Sequence, residues 1–495
     1  MELAIGIDLG TSSIKAVAID PFGRVHSKAS RDYDILSPHK GWAEQDPETW
    51  FQKSLEVIQE MVLSGNIDPN QIRSIGFSGQ MHGTVLIDEN LKLMRHAIIW
   101  ADRRSQNEVD WIREKIGFEK LRKWVGNPID SGFMLPTLLW LKENESTLWK
   151  QIRFALLPKD YLRFRYTGNI GSEYSDASST GLLDPFKRKW SEEVCESFGL
   201  ELDSLPPLFE SAEVSGVILP KLAKLLGIGA DVKVVFGGSD QACQAIGNGV
   251  ISPGQICMTI GTGGQVFCPI DEPAADELLR YHLFCHAIPD RWHFQTSILS
   301  AGLTLKWLRD KIFEGKSYQD LANLAEASPV GANGAFFLPH LLGERTPYMD
   351  PNSRGVFIGL SLQNNRSDMI RAVMEGVVYS LKLGLELIVN QERKNKKWIF
   401  TGGSAENELW RYLVSGIMGH PILVRKTVFP AAFGSAILSL VGTGKYQDVE
   451  AACENTIVEC EEICIPNSDD VLFYEKQFKR FKQIYPLTRK FNIPH

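Results

Sequence analysis

The sequence is poor in the features that mark nucleic-acid binders, secreted scaffolds and membrane proteins. Its 60 acidic residues exceed its 53 basic ones, giving a formal net charge of −7. Nucleic-acid partners select a basic stripe, so that class is excluded. No apolar run approaches the ~20 residues of a spanning helix, which excludes a membrane partner of that kind. Met1-Glu2-Leu3-Ala4 runs directly into the first predicted strand, without room for a signal peptide. Eight cysteines, at positions 195, 243, 257, 268, 285, 453, 460 and 464, are scattered along 495 residues. That usage suits a reduced compartment rather than a disulfide framework, and the expected location is the cytoplasm. Cys453, Cys460 and Cys464 lack the second paired box and nearby His of a zinc site, so they are read as incidental thiols.

The common nucleotide motifs are missing too. Gly315-Lys316-Ser317 and Gly444-Lys445 lack the upstream glycine of a P-loop. No G-x-G-x-x-G follows the first predicted strand, and the protein-kinase boxes are absent. With 44% hydrophobic and 23% charged residues, the chain is an ordinary globular protein, too long for one core.

What is present is a pair of glycine-rich boxes half a chain apart. The first is Ile5-Gly6-Ile7-Asp8-Leu9-Gly10-Thr11-Ser12-Ser13, and the second is Met258-Thr259-Ile260-Gly261-Thr262-Gly263-Gly264. Each reads as strand, tight turn, strand. Glycine lets backbone N–H groups come close to an anion, and the hydroxyls of Thr11, Ser12, Ser13 and Thr262 add donors. Two such turns suggest a phosphate chain held between related lobes.

The surrounding pattern repeats. Strands are predicted at 4–8, 14–20 and 24–31, a helix at 47–64 opened by Asp46-Pro47, and strands at 72–77 and 83–87. After the glycine-rich stretch 236–264, strands at 255–260, 265–269 and 291–295 precede a helix at 302–313. This order implies an α/β duplication divided near residue 250, with domains 1–250 and 251–495. Two unrelated α/β domains remain the alternative.

Phosphate turns without the common boxes point to the actin, hexokinase and heat-shock ATPase superfamily. Trp398-Ile399-Phe400-Thr401-Gly402-Gly403-Ser404-Ala405-Glu406-Asn407 adds a strand, a Gly-Gly turn and a helix start. The segments 359–376 and 135–144 resemble the two signatures of the FGGY carbohydrate kinases. Further strings carry the resemblance across most of the chain: Gly41–Pro47, Ser78–Gly83, Leu157–Leu162, Tyr174–Ser178, Gly237–Gln241 and Gly343–Pro347. One departure is Thr137, which stands where the first signature usually has Lys. The resemblance implies two ribonuclease-H-like domains flanking a cleft for ATP and sugar, with Mg²⁺ as cofactor. It also implies phosphoryl transfer to the terminal O5 of D-xylulose. Gluconate, ribulose, glycerol or another polyol is the alternative substrate, and a non-catalytic nucleotide sensor the alternative class. A homodimer is a further expectation for such kinases.

Residue roles follow. Asp8, beside phosphate-binding amides, is expected to face Mg²⁺; its bland alternative is a turn cap. Asp240 opens a predicted helix and would serve as a cap there. Phosphorylating a hydroxyl needs a proton acceptor, and the resemblance places that general base at Asp240. Gln80, Met81, His82 and Gln241 are then expected to contact sugar, with Trp100, Asp102 and Arg104 on the next turn. Gly10, Thr11, Ser12 and Ser13 take phosphate on one side, and Gly261, Thr262 and Gly263 on the other. Gly402, Gly403 and Asn407 take adenosine. The basic stretch 393–397 is read as a solvated loop.

Overall fold

The computed structural model describes residues 2–64, 67–389, 397–457 and 462–491. Most of the basic stretch 393–397, and Cys460, lie outside the described residues.

The first lobe is built on β1 (Leu3–Leu9), β2 (Ser13–Ile19), β3 (Val25–Asp32), β4 (Ile72–Gly79), β5 (Val214–Val217) and β6 (Lys233–Val235), in the order β5-β6-β4-β1-β2-β3. The β1-β2-β3 meander is antiparallel, whereas β4 runs parallel to β1 and β6 parallel to β4. The second lobe has β7 (Ile256–Ile260), β8 (Gly264–Ile270), β9 (His282–Cys285), β10 (Trp292–Ile298), β11 (Trp398–Thr401), β12 (Ile422–Val424) and β13 (Glu462–Cys464), in the order β9-β10-β8-β7-β11-β12-β13. Its meander β7-β8-β10 is again antiparallel, and β11 and β12 again run parallel beside β7. With the edge strand β5 set aside in the first sheet and β9 and β13 in the second, the orders β3-β2-β1-β4-β6 and β10-β8-β7-β11-β12 match, the ribonuclease-H-like plan in duplicate. The order expected from sequence is present, with β9 inserted at the second sheet's edge.

Side-chain size along β1 explains how the lobes meet. Ile5, Ile7 and Leu9 share one core with Trp50, Leu55 and Ile58 of the Pro47–Leu63 helix. Ala4 and Gly6 alternate with them and face the Pro430–Gly442 helix, which comes from the far half of the sequence. A Cβ on Gly6 would stand 1.8 Å from the Ala432 carbonyl oxygen, and one on Gly76 1.9 Å from that of Ser435. The contact is thus backbone against backbone, possible only for glycine. The Asp240–Gly247 helix makes the reciprocal crossing: Ala245 packs with Cys257, Phe267 and Ile399 of the second sheet, and Gln244 Nε2 donates to Thr259 Oγ1 at 3.0 Å. The two helices also touch each other, since a Cβ on Gly434 would lie 1.9 Å from the Cys243 carbonyl oxygen. A third core, including Val109, Leu138 and Phe198, belongs to the long insertion of the first lobe. Among the described residues, no helix is long and apolar enough to cross a membrane.

Candidate active site

The β1–β2 turn keeps its shape by spending its carbonyls. Tyr33 donates its hydroxyl to the Gly10 carbonyl, and Gln45 Nε2 donates to that of Thr11 at 2.7 Å. Gly10 N closes the turn on the Ser13 carbonyl at 3.0 Å. Among the described residues, the amides of Thr11 and Ser12 donate to no protein acceptor, which leaves them for an anion. The Thr11 hydroxyl is already engaged, accepting from Trp100 Nε1 at 2.8 Å.

Asp8 leads into this turn and accepts from Ser78 Oγ at 3.0 Å. Asp240 reaches the same place from the other side: Gly238 and Ser239 pair with Ser78 and Gly79 at the end of β4, and the helix starts at the next residue. Burial raises the Asp8 carboxyl, against the pull of Lys15 and the Ser78 hydrogen bond. Burial and then the charge of Asp8 push Asp240 up to about 7. Its Oδ1 is buried without a hydrogen-bond partner. A lone carboxylate oxygen poised near neutrality suits a proton acceptor. The Asp8 carboxylate beside the anion-facing turn also suits a hard cation that takes most of its ligands from phosphates and water. Among the described residues no cluster of three or more His, Cys, Asp or Glu side chains offers a self-sufficient metal site.

Beyond β4 the chain turns through Gln80, Met81 and His82. Gln80 N donates to the Leu9 carbonyl at 2.8 Å, and its side chain reaches the phosphate turn through Gln45 at 2.9 Å. Met81 is buried. His82 holds a left-handed backbone, φ 72°, with its amide donating to Ser179 Oγ at 3.2 Å. Its Nδ1 lies 2.7 Å from the Ser179 carbonyl, an acceptor only, so Nδ1 carries the proton. Burial drives the ring down to about 3, so it is neutral, and Nε2 is left as an acceptor for a ligand hydroxyl. Phe133 stacks on this ring at 3.9 Å. Gln241 bonds back to Asp240.

Asp102 and Arg104 require correction as pocket residues, because the Asp102 carboxylate and Arg104 Nε and Nη2 are spent inside the fold, and Arg104 Nη1 is buried there without a partner. Asp102 accepts from Ala43 N at 2.6 Å and from Arg104 N, Nε and Nη2 at 2.8, 2.9 and 2.8 Å. Arg104 also pairs with Glu44 at 2.7 Å and lies over the Trp42 ring, 3.5 Å from its centroid. They brace the loop that carries Trp100. The departure at Thr137 also lies inside: this residue is buried on the Met134–Asn144 helix.

The second turn opens onto a cavity of about 690 Å³. Gly261, Thr262, Gly403 and Asn407 line it, so the expected triphosphate and adenosine residues share one space, large enough for a nucleotide. The carbonyls of Gly261 and Thr262 are capped by Gly302 N at 2.8 Å and Leu303 N at 3.0 Å. Gly402 and Gly263 are not among the lining residues; Gly402 shapes the approach at φ 90°. Asn407 caps the Glu408–Met418 helix, its Oδ1 accepting from Trp410 N at 3.2 Å. Lys306, Tyr318 and Trp410 also line the cavity; no turn motif marks Lys306 or Tyr318 in the sequence, and Trp410 lies three residues past Asn407 on the helix that the Gly-Gly turn opens.

A duplicated ribonuclease-H-like fold, with a glycine-rich turn on each sheet and a buried carboxylate beside the first, is the architecture of an ATP-dependent phosphotransferase. The chain belongs to the FGGY family of carbohydrate kinases: residues 3–247 match the family's N-terminal domain and residues 256–443 its C-terminal domain. It is similar to the xylulose kinase of Bacillus subtilis, 36% identical over 99% of this chain and 98% of that protein. The gluconokinase of the same organism is 31% identical over 91% of this chain and 89% of that protein. Among solved structures, the ligand-bound xylulose kinase of Lactobacillus acidophilus superposes with a TM-score of 0.93 at 26% identity, covering 99% of each chain.

Proposed function

We propose that this kinase transfers the γ-phosphoryl group of ATP to O5 of D-xylulose, giving D-xylulose 5-phosphate and ADP. The observation that carries the choice of sugar is the near full-length match to relatives named as xylulose kinases. A lone acceptor nitrogen on His82 is compatible with an uncharged polyhydroxy substrate. We further propose domains 1–250 and 251–495 and a cytoplasmic location.

The sugar lies between His82 and Asp240, with His82 Nε2 accepting one hydroxyl proton and Met81 packed against the carbon skeleton. Asp240 Oδ1 accepts the O5 proton as O5 bonds to the γ-phosphorus and the bond to the ADP oxygen breaks. The amides of Thr11, Ser12, Thr262 and Gly263 steady the phosphate oxygens. Asp8 would hold Mg²⁺ beside the phosphates, where it offsets their charge. Approach of the lobes excludes water, which would otherwise accept the phosphoryl group.

The test is ADP release with MgATP across D-xylulose, D-ribulose, D-gluconate and glycerol. D-xylulose should give the highest kcat/KM. A tenfold advantage for another substrate, about 1.4 kcal/mol of transition-state discrimination, overturns the choice of sugar.

A further inference from the structure

The Gly343–Pro347 loop carries a charge across the cleft. It is fastened to β10, with Thr346 N donating to the Ser297 carbonyl at 3.1 Å and Thr346 Oγ1 accepting from Ser297 N at 3.3 Å. From there Arg345 reaches the first lobe, where its Nε and Nη2 stand 3.0 and 2.8 Å from Asp130 Oδ2. The other oxygen, Oδ1, accepts from Ser131 N at 2.9 Å and lies 3.3 Å from Arg103 Nη1. Two guanidinium groups from opposite lobes thus converge on one carboxylate. The Asp130 and Arg345 side chains are only 28% and 14% exposed.

This cluster lies at the sugar end of the cleft. Asp130 opens the turn that ends at Phe133, whose amide donates back to the Asp130 carbonyl at 3.3 Å. Phe133 stacks on His82 and lies 6.0 Å from the ring of His282 on β9. Both histidines feel the charges of Arg345 and Asp130.

Paired guanidinium groups are the usual protein receptor for a ligand carboxylate. Here the chain fills that receptor with its own side chain. We propose that Asp130 determines substrate specificity: by occupying Arg345 and Arg103 it denies a sugar acid the cations its carboxylate needs, and so favours uncharged sugars. A hexonate must displace Asp130 or lie beside its negative charge, whereas a ketose meets neither cost. The inference rests on the reading that sugar binds beside His82.

The test uses the full chain and reads the ratio of kcat/KM for D-gluconate to that for D-xylulose, with the Ki of gluconate against xylulose as a second readout. Asp130→Asn keeps the shape and removes the charge that neutralises Arg345 and Arg103, the latter still held by Ser131 Oγ at 2.9 Å; the ratio should rise about tenfold or more, with a matching fall in Ki. Arg345→Gln leaves Asp130 opposed by Arg103 alone, and the ratio should fall. The double variant should lose the gain. A folded Asp130→Asn enzyme whose ratio and Ki stay within about threefold of wild type overturns the proposal, as does a gain that survives in the double variant. If Asp130→Asn does not fold, Arg345→Gln decides alone, and an unchanged or higher ratio refutes it. A wild-type enzyme that prefers gluconate sinks the choice of D-xylulose instead, and the shifts between variants still decide the role of Asp130.

Discussion

Asp240 gives the sharpest quantitative expectation, because its environment sets a pH at which the reaction should fail. Burial first, and the charge of Asp8 second, push its carboxyl up to about 7. About ten-elevenths of the enzyme then carries the ionised base at pH 8 and about one-eleventh at pH 6, a roughly tenfold fall in rate. A carboxyl with an ordinary value would stay about 99% ionised across that range and give a flat profile. The rate should be measured with both substrates well below saturation, so that it reports the free enzyme. ADP should be quantified by chromatography after quenching, so that no coupling enzyme adds its own pH dependence. Asp240→Asn completes the test: kcat should fall by at least ~10². Stability should move the other way. The folded wild type keeps the Asp240 proton to higher pH than the unfolded chain, so its stability declines between about pH 4 and pH 7. Asparagine has no proton to lose, so the variant's Tm advantage over wild type should grow across that window and level off above it. A flat rate between pH 8 and 5.5, or a folded variant keeping more than about a tenth of wild-type kcat, refutes the assignment.

Gly261→Ala adds a Cβ with no protein atom nearer than 3.9 Å, so weakened ATP binding would report contact with the nucleotide; calorimetry should show ATP Kd raised about tenfold and sugar affinity unchanged. His82→Asn tolerates the left-handed backbone but loses the ring acceptor. Its sugar KM should rise about tenfold with little change for ATP, and an unchanged sugar KM removes His82 from the pocket. Gly434→Ala forces a Cβ within 1.9 Å of the Cys243 carbonyl oxygen and should cost about 1–3 kcal/mol or more by denaturant titration; an unaltered midpoint would contradict the close helix crossing.

The parts of the site that lie on local turns were legible in the sequence, because Gly, Thr and Ser impose turn chemistry without help from distant residues. The meanders and their parallel neighbours were legible as well, through alternation and element order. Side chains whose roles depend on burial were not. Asp102 and Arg104 beside Trp100 look the same on paper whether they meet a ligand or each other, and only the folded chain shows them spent on Ala43 and Glu44. Arg345 stood in a quoted motif, but its partner lies 215 residues away. The helix exchange had one sequence signal: Gly6 sits between Ile5 and Ile7 and Gly76 between Ile75 and Phe77, where a missing side chain marks a close backbone neighbour.

That exchange constrains how the chain matures during synthesis. The face of β1 and β4 that carries Gly6 and Gly76 is covered only in part by its own half, through Ala242, Cys243 and Ile246; the helix that fits the two glycines ends at Gly442. A nascent chain therefore displays an apolar sheet face until nearly all of it has left the ribosome. Folding of the N-terminal half waits on the C-terminal half, and two fragments cut near residue 250 would complement each other rather than fold alone. The active site inherits this dependence, because Asp240 opens one of the exchanged helices. A product truncated before Gly442 lacks the helix that packs on Gly6 and against Cys243, so the strand that carries Asp8 and the helix that carries Asp240 are left without their partner.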